Sequence, residues 1–230
     1  MTRTVLVVEK DEAVAAKLRD GLNAGDYAVS SVPQRRAISG IKSSRPDIIV
    51  LDPRTLSHDR ALAISQTARR VGNTPVLRLV FETRWPQDEL EGTGYLVVSP
   101  ALEDIAPRVQ TLLHARTQIR EQMEAPNGDP IVSLGGIQLD FKARVLRGSS
   151  GDVHLTPKET RLLLAFMMHP GVVLTRGWLM KEIWDTDYTG DTRTLYVHIR
   201  WLRQKIEADP ATPRCLITVR GVGYLYTPSE

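Results

Sequence analysis

The sequence has one cysteine, a small net charge and no long apolar run. Cys215 is the only cysteine among 230 residues, which excludes an intramolecular disulfide and a metal centre built from several thiolates. The apolar residues 5–8 are followed at once by charged residues at 9–12, which is unlike a secretory signal. The formal net charge is only +3, so bulk charge does not identify a partner. We expect a soluble cytoplasmic chain without membrane association.

The first half of the chain alternates short apolar segments with helical stretches. Strands are predicted at 4–8, 27–32, 47–51, 75–80 and 95–98, and helices at about 12–24, 34–44, 60–71 and 102–123. Continuously apolar strands between helices are typical of a parallel sheet that is covered on both faces. Five such strands predict an α/β, flavodoxin-like doubly wound fold, whose functional site lies at the carboxyl ends of the strands.

A proline-containing segment separates this half from the rest of the chain. Residues 125–130 place two prolines around an Asn-Gly turn signal, which predicts an exposed tether. We therefore divide the chain into an N-terminal domain at 1–122, a linker at 123–130 and a C-terminal domain at 131–230.

The C-terminal domain contains a basic amphipathic helix followed by a glycine-containing hairpin. On a helix that advances 100° per residue, one stripe is apolar: Leu195, Ile199, Leu202 and Ile206. The other side chains point away from that stripe or lie on its flanks: Arg193, Val197, His198, Arg200, Trp201, Arg203 and Gln204. Such a face suits the base edges and phosphates of a DNA groove, although an ordinary solvated face is the alternative.

The hairpin and two further helix starts complete the pattern. Strands at 216–218 and 224–227 flank Gly221 and Gly223, with Arg220 near the tip. Thr156 to Glu159 form a predicted capping box with proline at the first helical position, and the sequence 169–171 ends that helix. A second start signal at 175–178 opens the next helix. With these motifs, residues 131–230 resemble the α+β winged helix-turn-helix domain of OmpR/PhoB-type response regulators.

The resemblance implies that this domain binds double-stranded DNA. Phosphate contacts are implied for seven residues: Trp184, Arg193, His198, Arg200, Arg203, Thr218 and Tyr224. Arg220 is implied as the wing arginine, which suits the negative potential of a minor groove. Val197 and Trp201 complete the expected set, and Trp201 stands where many members have arginine. It either meets a thymine methyl group or packs against protein. Residues 185–191 are implied to contact RNA polymerase.

The N-terminal half resembles a receiver domain, because acidic residues follow its first and third strands. An active receiver uses two acidic residues and a phosphoacceptor aspartate to hold Mg²⁺, and a hydroxyl and a lysine to bind the phosphoryl oxygens. Asp52 stands at the phosphoacceptor position and Glu9 at the first acidic position.

Three other positions of this pocket depart from the family pattern. Lys10 stands at the second acidic position, Val80 at the hydroxyl position and Ser99 at the lysine position. A one-residue shift that brings Asp11 into the metal position would repair one departure of the three. We expect a degenerate pocket without a resident metal or cofactor, in which Lys10 stabilises the carboxylates of Asp52 and Glu9.

The receiver resemblance also implies a dimer face. Tyr95, Asp104 and Arg108 match its aromatic and charged positions, so we expect a homodimer. The alternative for Asp104 and Arg108 is an ordinary surface pair one helical turn apart. Residues 82–94 contain a proline and two glycines, which argues against a full helix there.

These observations predict a non-enzymatic, sequence-specific transcription regulator whose degenerate receiver serves dimerisation or partner sensing. One alternative is a conventional two-component regulator that a histidine kinase phosphorylates on Asp52. Another is an N-terminal module that senses a ligand or a protein and gates DNA binding.

Overall fold

The computed structural model describes residues 3–9, 12–23, 27–51, 56–72, 74–81, 93–98, 105–124, 130–148, 151–186 and 193–228. The chain forms two compact units, Met1–Gln110 and Thr111–Glu230. The division falls within helix α4 (Ile105–Glu124). The expected linker residues 125–129 lie outside the described residues, so the domain limits at 122 and 131 stay predictions.

The first unit contains a parallel five-stranded sheet in the order β2-β1-β3-β4-β5. The strands are β1 (Arg3–Val8), β2 (Tyr27–Val32), β3 (Ile48–Leu51), β4 (Val76–Phe81) and β5 (Thr93–Val98). The helices are α1 (Glu12–Asn23), α2 (Ala37–Ser44) after a short 3₁₀ turn at Gln34–Arg36, and α3 (His58–Gly72). The predicted α/β doubly wound fold is confirmed, with element ends within about three residues of those expected.

The core of this unit is built from the apolar strands that the sequence singles out. All four residues of β3 and the last four of β1 are buried, because helices cover both faces of a parallel sheet. Leu6, Ile41 and Ile64 form part of one apolar cluster that joins the sheet to α2 and α3. Val8 of β1 and Leu51 of β3 are register partners, so the two strands end side by side.

The second unit contains a four-stranded antiparallel sheet that our sequence analysis missed. Its strands are β6 (Ile131–Leu134), β7 (Ile137–Asp140), β8 (Val145–Gly148) and β9 (Gly151–His154). Gly135 and Gly136 adopt φ values of 58° and 72° in the first hairpin. A two-glycine turn between alternating apolar residues is a hairpin signal, and it was available in the sequence.

Three helices and a three-stranded antiparallel sheet complete the second unit. The helices are α5 (Pro157–Met167), α6 (Arg176–Trp184) and α7 (Arg193–Ile206). The strands β10 (Val173–Thr175), β11 (Leu216–Val219) and β12 (Gly223–Tyr226) pair in the order β11-β12-β10. This is the α+β winged-helix arrangement that the sequence predicts. Within the described ranges, we find no helix with the length and apolar character needed to cross a membrane.

The predicted helix starts of the second unit are confirmed at atomic detail. The Thr156 hydroxyl accepts from the backbone N–H of Glu159, and the Glu159 carboxylate accepts from the backbone N–H of Thr156. The Thr175 hydroxyl likewise accepts from the backbone N–H of Trp178 at 3.1 Å. Each cap satisfies amide groups that the first helical turn leaves without a partner.

Candidate nucleic-acid interface

Helix α7 buries one side and exposes the other, as its periodicity predicts. Leu195, Ile199 and Leu202 are at most 2% exposed, whereas Ile206 at the end of the stripe is only half-buried. The opposite surface includes exposed cationic, neutral polar and apolar side chains: Arg193, Tyr196, Val197, Arg200, Trp201 and Gln204. The helix therefore presents a mixed basic and aromatic surface to its surroundings.

The hairpin β11–β12 forms a wing next to this helix. Gly221 has a φ of 78° in its turn, a conformation that glycine adopts without strain. A Cβ on Gly223 would lie 1.9 Å from the carbonyl oxygen of Leu174, so only glycine fits where β12 meets β10. Arg220 is exposed beside this turn, as expected for a side chain at the wing tip.

Arg203 joins α7 to the wing. Its guanidinium donates to the carbonyl oxygen of Leu216 through Nε at 2.9 Å and Nη2 at 2.6 Å. Nη2 also donates to the hydroxyl of Thr218 at 2.8 Å. The resemblance implies phosphate contacts for Arg203 and Thr218, and the structure shows that these two side chains bind each other. A guanidinium has five N–H donors, so a phosphate contact by Arg203 stays available as a second role.

Two carboxylates fix α7 within the unit through pairings that were not predicted. The Glu159 carboxylate accepts from the Lys205 ammonium at 2.7 and 2.8 Å, which ties α5 to α7. Burial opposes ionisation of Glu159, but hydrogen bonds from Lys205 and Thr156 outweigh it and lower its pKa. Glu207 accepts from the backbone N–H groups at the start of β11, at 2.7 Å from Leu216. Neither pairing has a local sequence signal.

A row of three aromatic rings runs from α6 onto α7. The Trp184 and His198 ring centroids lie 5.0 Å apart, and those of His198 and Trp201 lie 5.2 Å apart, both edge to face. His198 Nδ1 is 2.8 Å from the carbonyl oxygen of Thr194, which holds the middle ring. The Lys158 ammonium lies 5.8 Å from the Trp184 ring centre. Trp184 and His198 therefore have packing roles beside the DNA contacts expected of them.

Tyr224 lies inside the unit. It is 1% exposed, and its hydroxyl is enclosed without a hydrogen-bond partner among the described residues. Burial raises the pKa of this phenol to about 12. Its ring meets the edge of the Tyr196 ring at 6.4 Å between centroids. Tyr224 therefore has a packing role in the core, and the phosphate contact expected of it stays a prediction.

The expected receiver pocket is described only in part. Glu9 is 4% exposed at the carboxyl end of β1, and its backbone N–H donates to the carbonyl oxygen of Val32 at 3.3 Å. Val80 lies in β4 as the register partner of Val97. Lys10, Asp52 and Ser99 lie outside the described residues, so their expected roles stay predictions.

The expected dimer face and polymerase loop are likewise covered in part. Tyr95 lies in β5 opposite Arg78, and Arg108 is exposed on α4. Asp104, the segment 82–92 and residues 187–192 lie outside the described residues. No cluster of histidine, cysteine and acidic side chains with the arrangement of a metal site occurs in the part of the chain that the structure describes.

Comparison with known proteins decides the family. Residues 150–226 match the family "Transcriptional regulatory protein, C terminal". The alkaline phosphatase synthesis transcriptional regulatory protein SphR of Synechococcus elongatus is 34% identical over 225 residues, which cover 95% of this chain and 83% of SphR. The chain belongs to the OmpR/PhoB-type response regulators. It is therefore a DNA-binding transcription regulator of a two-component type, and the resemblance stated from its motifs is confirmed.

Other relatives of this response regulator match over nearly the whole chain. The transcriptional regulatory protein PrrA of Mycobacterium leprae is 33% identical over 228 residues, which cover 96% of this chain and 94% of PrrA. Among solved structures, DrrB of Thermotoga maritima, an OmpR/PhoB homolog, is similar with a TM-score of 0.39 at 22% identity. That match covers 99% of this chain and all of DrrB.

Proposed function

We propose that this response regulator binds specific DNA sites through α7 and the wing, and that its receiver controls binding without phosphorylation of Asp52. The observation that carries the DNA-binding surface is the exposed cationic face of α7 beside an exposed wing arginine. Arg200 and Arg220 are exposed, and Arg203 fixes the wing against α7. Cations on two connected elements suit phosphates on both sides of a groove.

A charge-removal pair tests this surface. Arg200→Ala should weaken binding to all duplexes and reduce the salt slope by about one counterion, because one phosphate contact is lost. Arg147→Ala is the matched control, since Arg147 is an equally charged residue on β8 and outside α7 and the wing. Fluorescence anisotropy at several salt concentrations measures both. Equal losses in the two variants would contradict the assigned surface.

The proposal of phosphate-independent control rests on the three substituted pocket positions. A carboxylate attacks a phosphoryl group only when a cation neutralises the crowded oxygens. Lys10 replaces an acidic ligand with a positive charge, which repels Mg²⁺. Val80 takes the place of the hydroxyl residue and Ser99 takes the place of the lysine, so the two groups that bind the phosphoryl oxygens are both lost. The nucleophile Asp52 therefore lacks the groups that would make it reactive.

Intact-mass measurement tests phosphoryl transfer directly. The full chain is incubated with Mg²⁺ and a small-molecule phosphodonor, and we expect no mass increase and unchanged DNA affinity. The triple variant Lys10→Asp, Val80→Thr and Ser99→Lys restores the family pattern and serves as the control that should gain reactivity. A phosphoryl-sized adduct on the wild-type chain that disappears in Asp52→Ala would establish the conventional phosphorylated regulator instead.

The receiver is also proposed to mediate a homodimer, and residues 185–191 to contact RNA polymerase. Arg108 is exposed on α4, at a position where the receiver resemblance implies a dimer face. Light scattering on the chain before and after treatment with the phosphodonor measures the oligomeric state. A dimer that is present before treatment agrees with phosphate-independent assembly, whereas a monomer throughout contradicts it.

A further inference from the structure

The outward face of α7 is divided into a cationic half and an apolar half. At 100° per residue, Arg193 and Arg200 lie about 20° apart around the helix axis, on the side of Arg203 and the wing. Val197 and Trp201 lie about 40° apart, one turn from each other and on the side of His198. The two halves meet along one helix, so a ligand that contacts this face meets both.

The apolar half exposes large hydrophobic side chains, whereas an ordinary solvated helix face carries polar ones. Val197 is 42% exposed and Trp201 is 44% exposed. These two are among the four large hydrophobic side chains exposed in the described residues, and Tyr196, a third on α7, lies on the cationic side. Large apolar groups that remain exposed together are typical of a binding surface.

Trp201 is held in place by its neighbours. Its ring packs edge to face on His198 with centroids 5.2 Å apart, and His198 packs in the same way on Trp184. The contact between His198 Nδ1 and the Thr194 carbonyl oxygen fixes the ring between them. A side chain that is already ordered loses little conformational entropy when it binds, so its outward edge is prepared for a contact.

Resting on the proposed DNA-binding function, we propose that Trp201, supported by Val197, reads the 5-methyl group of thymine in the major groove. The thymine methyl is the apolar group that base edges present there, and each base pair offers a different pattern. The cationic half beside it places the phosphates of the same duplex. Trp201 is then a specificity-determining residue that selects thymine at its position by an apolar contact.

The surrounding charge favours DNA over a protein as the occupant of this face. Arg200 lies beside Val197 on the same helix, and Arg220 lies on the adjoining wing. Both are exposed cations, as phosphate binding requires. An acidic protein that docks here is the competing occupant, and the experiment below separates the two.

The experiment uses the full chain and a pool of duplexes with a random central segment. Retained duplexes define a preferred site, and each thymine of that site is then replaced singly by deoxyuridine, which removes only the methyl group. We expect deoxyuridine at one or two positions to weaken binding about fourfold, the value of one buried methyl group. Trp201→Ala should abolish this thymine preference, and Trp201→Phe should retain part of it because the ring remains apolar.

Each outcome decides between the claims. Arg200→Ala is the control. It should weaken binding to the thymine duplex and to the deoxyuridine duplex by the same factor, so that the ratio of the two affinities is unchanged. Equal binding of both duplexes by the wild-type chain, or a ratio that survives Trp201→Ala, would overturn the thymine-reading role and leave DNA binding intact. An affinity that Trp201→Ala leaves unchanged would indicate a protein-docking face. Retention of no duplex at all would refute the proposed function and this inference with it.

Discussion

Mild acid is expected to destabilise the second unit through His169. This residue is 8% exposed, and its Nδ1 donates to the carbonyl oxygen of Ala165 at 2.7 Å. Its Nε2 accepts from the guanidinium of Arg116, also at 2.7 Å, and both residues belong to the second unit. Burial and the charge of Arg116 lower the pKa of His169 from 6.5 to about 3. The folded state therefore holds a neutral imidazole.

The sign of the effect follows from where the proton binds. The unfolded chain protonates His169 below pH 6.5, whereas the folded chain does so only near pH 3. The contribution of neutral His169 to the free energy of unfolding is fully present well above pH 6.5. It is lost as the pH falls through this window, because the unfolded state binds more protons. Between pH 7 and pH 5 the loss amounts to about 2 kcal/mol.

Urea unfolding at pH 7 and pH 5 measures this loss. Tryptophan fluorescence is a suitable probe because the Trp178 and His169 rings lie 5.2 Å apart between centroids. His169→Gln removes the titrating group, so its free energy of unfolding should decrease by about 2 kcal/mol less than that of the wild type over this range. The exposed His154→Gln is the matched control and should follow the wild type. Parallel pH dependences in wild type and His169→Gln would refute the buried neutral imidazole.

Two further predictions concern the framework around α7, both measured by urea unfolding. Lys205→Met leaves the buried carboxylate of Glu159 without its cation and should cost about 3–5 kcal/mol. Adding Glu159→Gln should recover part of this loss, and no recovery would contradict the charge argument. Gly223→Ala forces a methyl group against the Leu174 carbonyl and should cost about 1–3 kcal/mol. Gly221→Asn, at a turn position that asparagine tolerates, should cost less, and the reverse order would contradict the clash.

Short-range patterns in the sequence account for much of the fold. The capping box at Thr156 and the cap at Thr175 involve residues three apart, so both helix starts were predictable. The apolar stripe of α7 repeats every three or four residues, and Leu195, Ile199 and Leu202 are buried as its period predicts. The two-glycine turn before β7 was equally local, and it was overlooked.

The tertiary structure alone decided how the recognition surface is held together. Lys205 meets Glu159 from 46 residues away, and Arg203 reaches Thr218 across 15. Neither pairing can be read from a repeat in the sequence, because each depends on how α5, α7 and the wing pack. The same packing encloses Tyr224, which motif resemblance places at phosphate. Sequence by itself determined the family, the element order of the first unit and the exposed face of α7, because these depend on local period, caps and turns. The partners of each charged side chain depend on contacts between distant segments, and only folding brings those together.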